Sequence, residues 1–175
     1  MNQPLTLDRL DLALLTALDE NPRAGELELS RITKVARATV NSRIKRLSEG
    51  GVIRSWSPTL DPTAAGFPVQ AFVTLEIAQG ALDEVARDLT EIPHVLEAYV
   101  TTGSSDVLCK VATPSHAELQ ATLVRIDQAS SVVRSTSVIV LSVLVEPRML
   151  PLLNTAEPTK TGRAPAYRDD SSDSS

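Results

Sequence analysis

The 175-residue chain is poor in the residues that build most catalytic and metal centres, with one cysteine and two histidines. Cys109 has no second thiol with which to form an intramolecular disulfide, which fits a reducing compartment. Cys109 lies in a strand-like stretch and reads as a small buried apolar residue. His94, Cys109 and His116 are scattered, so no metal site is expected. No apolar run approaches the ~20 residues that span a bilayer. The polar opening MNQPLTLDRLD lacks the features of a signal peptide, and the expectation is a cytoplasmic protein without a membrane partner. No G-x-x-x-x-G-K-[ST] or G-x-G-x-x-G loop occurs, and no serine, cysteine or carboxylate has a histidine at a recognisable catalytic spacing. Neither an enzyme nor a cofactor is expected.

What the chain does have is an uneven charge. Its formal net charge is −5, yet Arg31, Lys34, Arg37, Arg43, Lys45, Arg46 and Arg54 stand against Glu49 alone between residues 31 and 54. Residues 62–152 are acidic on balance. A basic front and an acidic back imply two domains with different partners.

Hydrophobic spacing gives the elements. Leu10, Leu14 and Leu18 recur at i, i+4, i+8 in "LDRLDLALLTALDENP", with Asp8 placed to cap the helix and Asp11 in its first turn. A second helix fits 25–33, burying Leu29 and Ile32, and a third runs from about Ala36 to Ser48 with Val40, Ile44 and Leu47 inward. Gly50-Gly51 end it, a glycine past the last turn supplying the left-handed cap. A short strand is expected at 52–56, then a Pro/Gly-rich linker. "QAFVTLEI" (70–77) alternates as a strand, with Ala71, Val73, Leu75 and Ile77 on one face. Next come a helix around 82–89, strands at 95–102 and 106–113, a helix after the S-x-x-E box Ser115–Glu118, and a long strand over 134–145. The order βαββαβ is ferredoxin-like. The fold class is therefore α+β: a helix-turn-helix, winged-helix-like domain at 5–57, a linker at 58–69, a ferredoxin-like domain at 70–153, and a disordered tail at 154–175 with little to bury.

A basic helix is often only a solvated face. Here it is the third of three and ends in a glycine pair and a β-rich stretch. That is the layout of a helix-turn-helix whose last helix enters the major groove of double-stranded DNA. With Val40, Ile44 and Leu47 turned inward, Ala38, Ser42 and Lys45 lie outward, beside Thr39, Asn41 and Arg46, with Arg37 and Arg43 at the borders. Small and amide side chains suit base edges and the cations suit phosphates. The DNA-contacting set is Lys34, Arg37, Thr39, Asn41, Ser42, Arg43, Lys45 and Arg46.

The sequence closely resembles the Lrp/AsnC family of bacterial and archaeal transcription regulators. The family's L-D-x-x-D-x-x-I/L-L start is matched by Leu7, Asp8, Asp11, Leu14 and Leu15. Its V-x-x-R-V-x-R-L-x-x-x-G-V-I recognition helix is matched at Val40, Arg43, Ile44, Arg46, Leu47, Gly51, Val52 and Ile53. "VTTGSSDVLCKV" and "VRSTSVIVL" are similar to its later strands. The resemblance implies pairing of subunits through the sheet into a homodimer, with assembly into larger rings such as an octamer, and binding of an amino acid or similar small effector. A sheet face bearing Phe72, Thr74 and Glu76 opposite the helices independently calls for a cover.

Two departures from the family stand out. Where relatives have G-L-S before the recognition helix, this chain has Lys34-Val35-Ala36, which loses a left-handed glycine and a capping serine at a cost of about 1–2 kcal/mol. Where relatives have G-D-x-D, it has Gly103-Ser104-Ser105-Asp106. Asp106 is the expected partner for an effector's ammonium, backbone N–H groups near Gly103 for its carboxylate, and Ser104 replaces the second acid. A DNA-architectural protein that ignores ligands shares every DNA-side feature.

Overall fold

The computed structural model describes residues 5–155. They divide into two units, one formed by residues 5–57 together with 146–155, the other by Pro58–Val145.

The first unit holds α1 (Arg9–Glu20), α2 (Glu26–Thr33) and α3 (Arg37–Glu49). Leu14, Ala17, Leu29, Val35 and Val40 form its core, with Leu10, Leu18 and Ile44 packed around them. Asp8 caps α1, its Oδ1 accepting from the Leu10 and Asp11 amides at 2.9 and 3.0 Å, while Asp11 Oδ2 accepts from the Asp8 amide at 2.9 Å. This reciprocal box satisfies helix-end donors that would otherwise be orphaned. Gly51 closes α3 at φ 73°, in the left-handed region that glycine enters without strain.

Three expectations change here. Ile32 is exposed, because the eight-residue α2 buries the stripe centred on Leu29 and Ser30, and Ile32 lies off it. No strand forms at 52–56 among the described residues; the Val52 and Ile53 amides instead both donate to the Leu47 carbonyl as part of the helix cap. A short helix, α6 (Leu150–Leu153), was not foreseen, and residues 146–155 group with this unit rather than with the sheet. The tail beyond residue 155 lies outside the described residues.

The second unit contains β1 (Val69–Ile77), α4 (Leu82–Thr90), β2 (Val95–Val100), β3 (Val107–Thr113), α5 (His116–Asp127) and β4 (Val132–Ile139). The strands run antiparallel in the order β2-β3-β1-β4, the split βαβ arrangement. Val85 and Leu89 of α4 and Leu119 and Ile126 of α5 pack on Ala71, Val73, Leu75, Cys109 and Val111, so both helices cover one face. Cys109 is fully buried and its thiol is pushed up to about 11 by burial, leaving an inert packing residue. His94 Nδ1 is hydrogen-bonded to Thr122 Oγ1 at 2.9 Å, a structural tie between the start of β2 and α5. The final strand stops at Ile139 rather than 145. Ile139 pairs with Ala71 and the Val140 amide with the Gln70 carbonyl, and residues beyond run past the start of β1, where no neighbour remains.

Candidate nucleic-acid interface and effector cavity

On α3, Arg37, Asn41 and Lys45 form one exposed stripe at i, i+4, i+8, with exposed Ala38 and Ser42 beside it and Thr39 half-buried. Exposed Lys34 precedes the helix. Arg37 and Asn41 both donate to the first residue of α2: Arg37 Nε to Glu26 Oε2 at 3.0 Å, and Asn41 Nδ2 to Glu26 Oε1. The bonds from Asn41 and Arg37 hold the Glu26 carboxyl below its usual range. Lys45 sits 3.8 Å from Glu49, a loose surface pair.

Arg43 and Arg46 turn the other way. Arg43 Nη1 donates to Asp8 Oδ2 and, at 3.1 Å, to Asp11 Oδ1, and Arg46 Nη2 donates to Asp11 Oδ2. Asp11 is fully buried and Asp8 nearly so. Burial alone would raise the Asp8 carboxyl, but the Asp11 amide and the Arg43 guanidinium outweigh it and hold the carboxyl below its usual range. The Asp8 bond raises the Arg43 pKa further, against a smaller opposing effect of burial. The two arginines expected at phosphates are thus the clamp that fixes α3 to the start of α1.

The turn between α2 and α3 is built without the usual residues. Lys34 adopts φ 56°, ψ 38°, the one left-handed residue other than glycine among those described, and its amide donates to the Ser30 carbonyl. Buried Ser30 holds the turn, its Oγ donating to the Val35 carbonyl at 2.6 Å. Ala36, at the N-cap of α3, offers no side-chain bond, and the first turn of α3 holds no acid.

In the second unit, Gly103 turns the β2–β3 loop at φ 119°. Ser104 and Ser105 line a cavity of about 240 Å³ together with Thr74, Glu76, Arg134 and Thr136. Asp106 is not among its lining residues. Its Oδ2 accepts from the Ile77 amide at 2.9 Å, and its backbone bonds to Leu75 and Thr101, which secures the irregularity in β1 at Glu76/Ile77. The expectation that Asp106 faces an ammonium group meets a carboxylate with a structural task. Glu76 and Arg134 are register partners across β1 and β4, yet among the described residues they form no ion pair.

Comparison with known proteins decides the family. Residues 7–54 match a winged helix-turn-helix DNA-binding domain and residues 70–150 the Lrp/AsnC ligand binding domain. The HTH-type transcriptional regulator FL11 of Pyrococcus horikoshii is 34% identical over 146 residues, covering 83% of this chain and 97% of that protein. The chain belongs to the Lrp/AsnC family. Escherichia coli AsnC superposes with a TM-score of 0.78 at 26% identity, covering 84% of this chain and all of that one. The transcriptional regulator NMB0573 of Neisseria meningitidis, solved as its L-Met complex, gives 0.78 at 25% identity over 86% of this chain and 100% of its own. This Lrp/AsnC protein is a transcriptional regulator with a DNA-binding helix-turn-helix, and not an enzyme. No helix among the described residues is long and apolar enough to cross a membrane.

For this Lrp/AsnC chain, the reading from sequence missed three things. Glu26 carries no local sequence signal, because its partners Arg37 and Asn41 lie on another helix. The Asp8–Asp11 pair was read only as capping, although two acids and two arginines, each spaced i, i+3 beside an apolar stripe, were a signal for a clamp. Thr74, Glu76, Arg134 and Thr136 were missed as cavity residues, because strands distant in sequence meet there.

Proposed function

We propose that this Lrp/AsnC regulator reads specific DNA sequences with the exposed face of α3 and answers to a small zwitterion, an amino acid or close relative, in the cytoplasm. The observation that carries the DNA half is the stripe Arg37–Asn41–Lys45 with Ala38 and Ser42 beside it, on the last helix of the matched helix-turn-helix. Asn41 and Ser42 are the base readers, with Thr39 at their edge. Lys34, Arg37 and Lys45 serve phosphates, helped by the acid-free amino end of α3. Arg43 and Arg46 act through the fold. In a titration of duplex binding against salt, each neutralised phosphate contributes a log–log slope of about −0.9. Replacing Lys34 and Lys45 by alanine together should flatten the slope by about two such steps, while Arg43→Ala should lower stability first. Unchanged binding in the double variant removes this face from the interface.

The effector half rests on the cavity chemistry. Glu76 offers an anion for an ammonium group, Arg134 a guanidinium for a carboxylate, and four hydroxyls surround them. The ligand complex of the Neisseria relative supports an amino acid as the class. Thermal shift with the twenty amino acids tests it; silence at millimolar concentration in both melting and oligomer assays favours a ligand-independent architectural protein.

The sheet face opposite the helices exposes Phe72, Tyr99 and Val138, and the stretch after β4 exposes Leu141 and Leu144. A second copy of the chain is the cover we assign to this face, giving a homodimer and, through further contacts, rings such as an octamer. Two recognition helices then require half-sites about one helical turn or a multiple apart. Light scattering that finds a monomer at micromolar concentration overturns this assignment.

A further inference from the structure

The geometry points to Glu26, outside the recognition helix, as the residue that sets which hydrogen-bonding groups α3 shows to DNA. The inference rests on the reading of α3 as the DNA-contacting helix. Glu26 stands at the start of α2, and its two carboxylate oxygens take one donor each from side chains four residues apart on α3. A carboxylate only accepts, so each donor it takes fixes what remains. Asn41 spends one N–H on Glu26, which settles its amide orientation and leaves Oδ1 and the second N–H unused on an exposed side chain. One acceptor beside one donor is the pair that matches the N6 and N7 groups of adenine. Arg37 spends Nε, which leaves its terminal nitrogens free for a phosphate or a guanine edge. Without Glu26, the Asn41 amide can rotate by half a turn and offer its groups in reversed order.

Two plainer roles compete. A surface ion pair with no influence on recognition is common, since Arg37 is mostly exposed. The other is a stand-in for phosphate, in which Glu26 merely masks Arg37 and Asn41 until DNA arrives. The three roles separate in one measurement, the ratio of affinities for a selected duplex and a scrambled one.

The test uses the full chain and a site selected from random duplexes by the wild type, read by fluorescence anisotropy. Glu26→Gln keeps the size but replaces one of the two accepting oxygens by an N–H donor, so Arg37 and Asn41 no longer have an oxygen each, and an amide turned toward Asn41 donates to its Oδ1 and so favours the flipped orientation. The specificity ratio should fall about tenfold, in line with the loss of one bidentate base contact. Affinity for the scrambled duplex should hold or rise, because a negative charge has left the interface. On an Asn41→Ala background, Glu26→Gln should change the ratio only through Arg37, by about threefold or less, because the flip no longer matters. An unchanged ratio with an unchanged melting temperature overturns the inference in favour of the surface pair. An equal rise in affinity for both duplexes overturns it in favour of masking. A wild type that prefers no duplex overturns the DNA-reading assignment and this inference together, whereas a wild-type preference that survives Glu26→Gln overturns this inference alone.

Discussion

In the N-terminal unit, two acids and two arginines close on one another: Asp8 and Asp11 on α1, Arg43 and Arg46 on α3, with Asp11 wholly out of solvent. Across the C-terminal sheet, Glu76 and Arg134 face each other in register around a cavity and do not meet. A closed set of charges around a buried carboxylate fixes one arrangement of helices, and its two acids are committed to the two arginines. An open cross-strand pair has both charges available, at the sacrifice of the modest stabilisation, about 0.2–1 kcal/mol, that closing it would bring. The difference separates charges that build the fold from charges left open to a ligand.

The contrast breaks most visibly at Asp11. Removing one partner from a buried ionic set leaves uncompensated charge, and Asp11→Ala should destabilise the N-terminal unit by about 3–5 kcal/mol. Denaturant unfolding followed by the fluorescence of Trp56, the chain's one tryptophan, which belongs to this unit, measures it. A loss below about 1 kcal/mol would place the clamp among ordinary surface pairs.

Glu76→Gln and Arg134→Gln should do the reverse. Neither supports another described side chain through an ion pair, so melting should be nearly unchanged, while affinity for the proposed zwitterion should fall by about 1.5–3 kcal/mol, roughly ten- to hundredfold, the worth of one charge-assisted bond. Asp106→Ala separates from both. It strips the acceptor from the Ile77 amide, so melting of the second unit should fall, by about 1–3 kcal/mol, with any loss of ligand response following from that. Ligand-dependent thermal shift on the three variants reads both effects. If Asp106→Ala abolishes the response at unchanged stability, Asp106 returns to the effector site and the open pair loses its role.

Acid provides a smaller test of the same contrast. The folded-state pKa of Asp8 lies below its unfolded value, so its contribution is present above about pH 4 and disappears as pH falls through the folded pKa. The N-terminal unit should therefore lose stability below about pH 4, and Asp8→Asn should flatten that decline. An acid titration of Trp56 fluorescence that is identical in the wild type and the variant would show that Asp8 is not linked to folding.

What the sequence disclosed and what it concealed follow the same division. Helices α1 to α5, the element order βαββαβ, the Asp8 cap, the Gly51 stop and the inward residues of β1 were legible, because each depends on neighbours within a few residues. The direction of Arg43 and Arg46 was not. On a helical wheel they border the apolar stripe, and a long side chain at a border reaches outward or back toward α1 according to where the acids of another helix stand. The cavity was legible only at Ser104 and Ser105, on the loop that the family resemblance marked; Thr74, Glu76, Arg134 and Thr136 converge through pairing of the first and last strands. The overestimated final strand has a like cause, since β-rich composition continues to Val145 while the neighbouring strand begins at Val69.

The smallest effects expected lie in the helix-turn-helix turn, where this chain departs from its family and the departure is visible in the backbone. Lys34 holds a left-handed conformation that disfavours a side chain by about 1 kcal/mol, and glycine relieves it while adding freedom to the unfolded chain. Ala36 leaves the amino end of α3 without a side-chain acceptor, and a serine there should add about 1 kcal/mol by bonding an orphan amide. Ala36→Ser should thus raise the stability of the N-terminal unit and leave DNA affinity little changed. Lys34→Gly should stabilise by somewhat less than the strain it removes, and it deletes an exposed cation at the edge of the face we assign to DNA. Its salt slope should therefore flatten by about 0.9, one phosphate, although the protein itself has become more stable. That pairing of a firmer fold with weaker binding would place Lys34 among the charges that serve a partner. A stabilised variant that binds DNA with the wild-type slope would instead leave the left-handed lysine without a binding role.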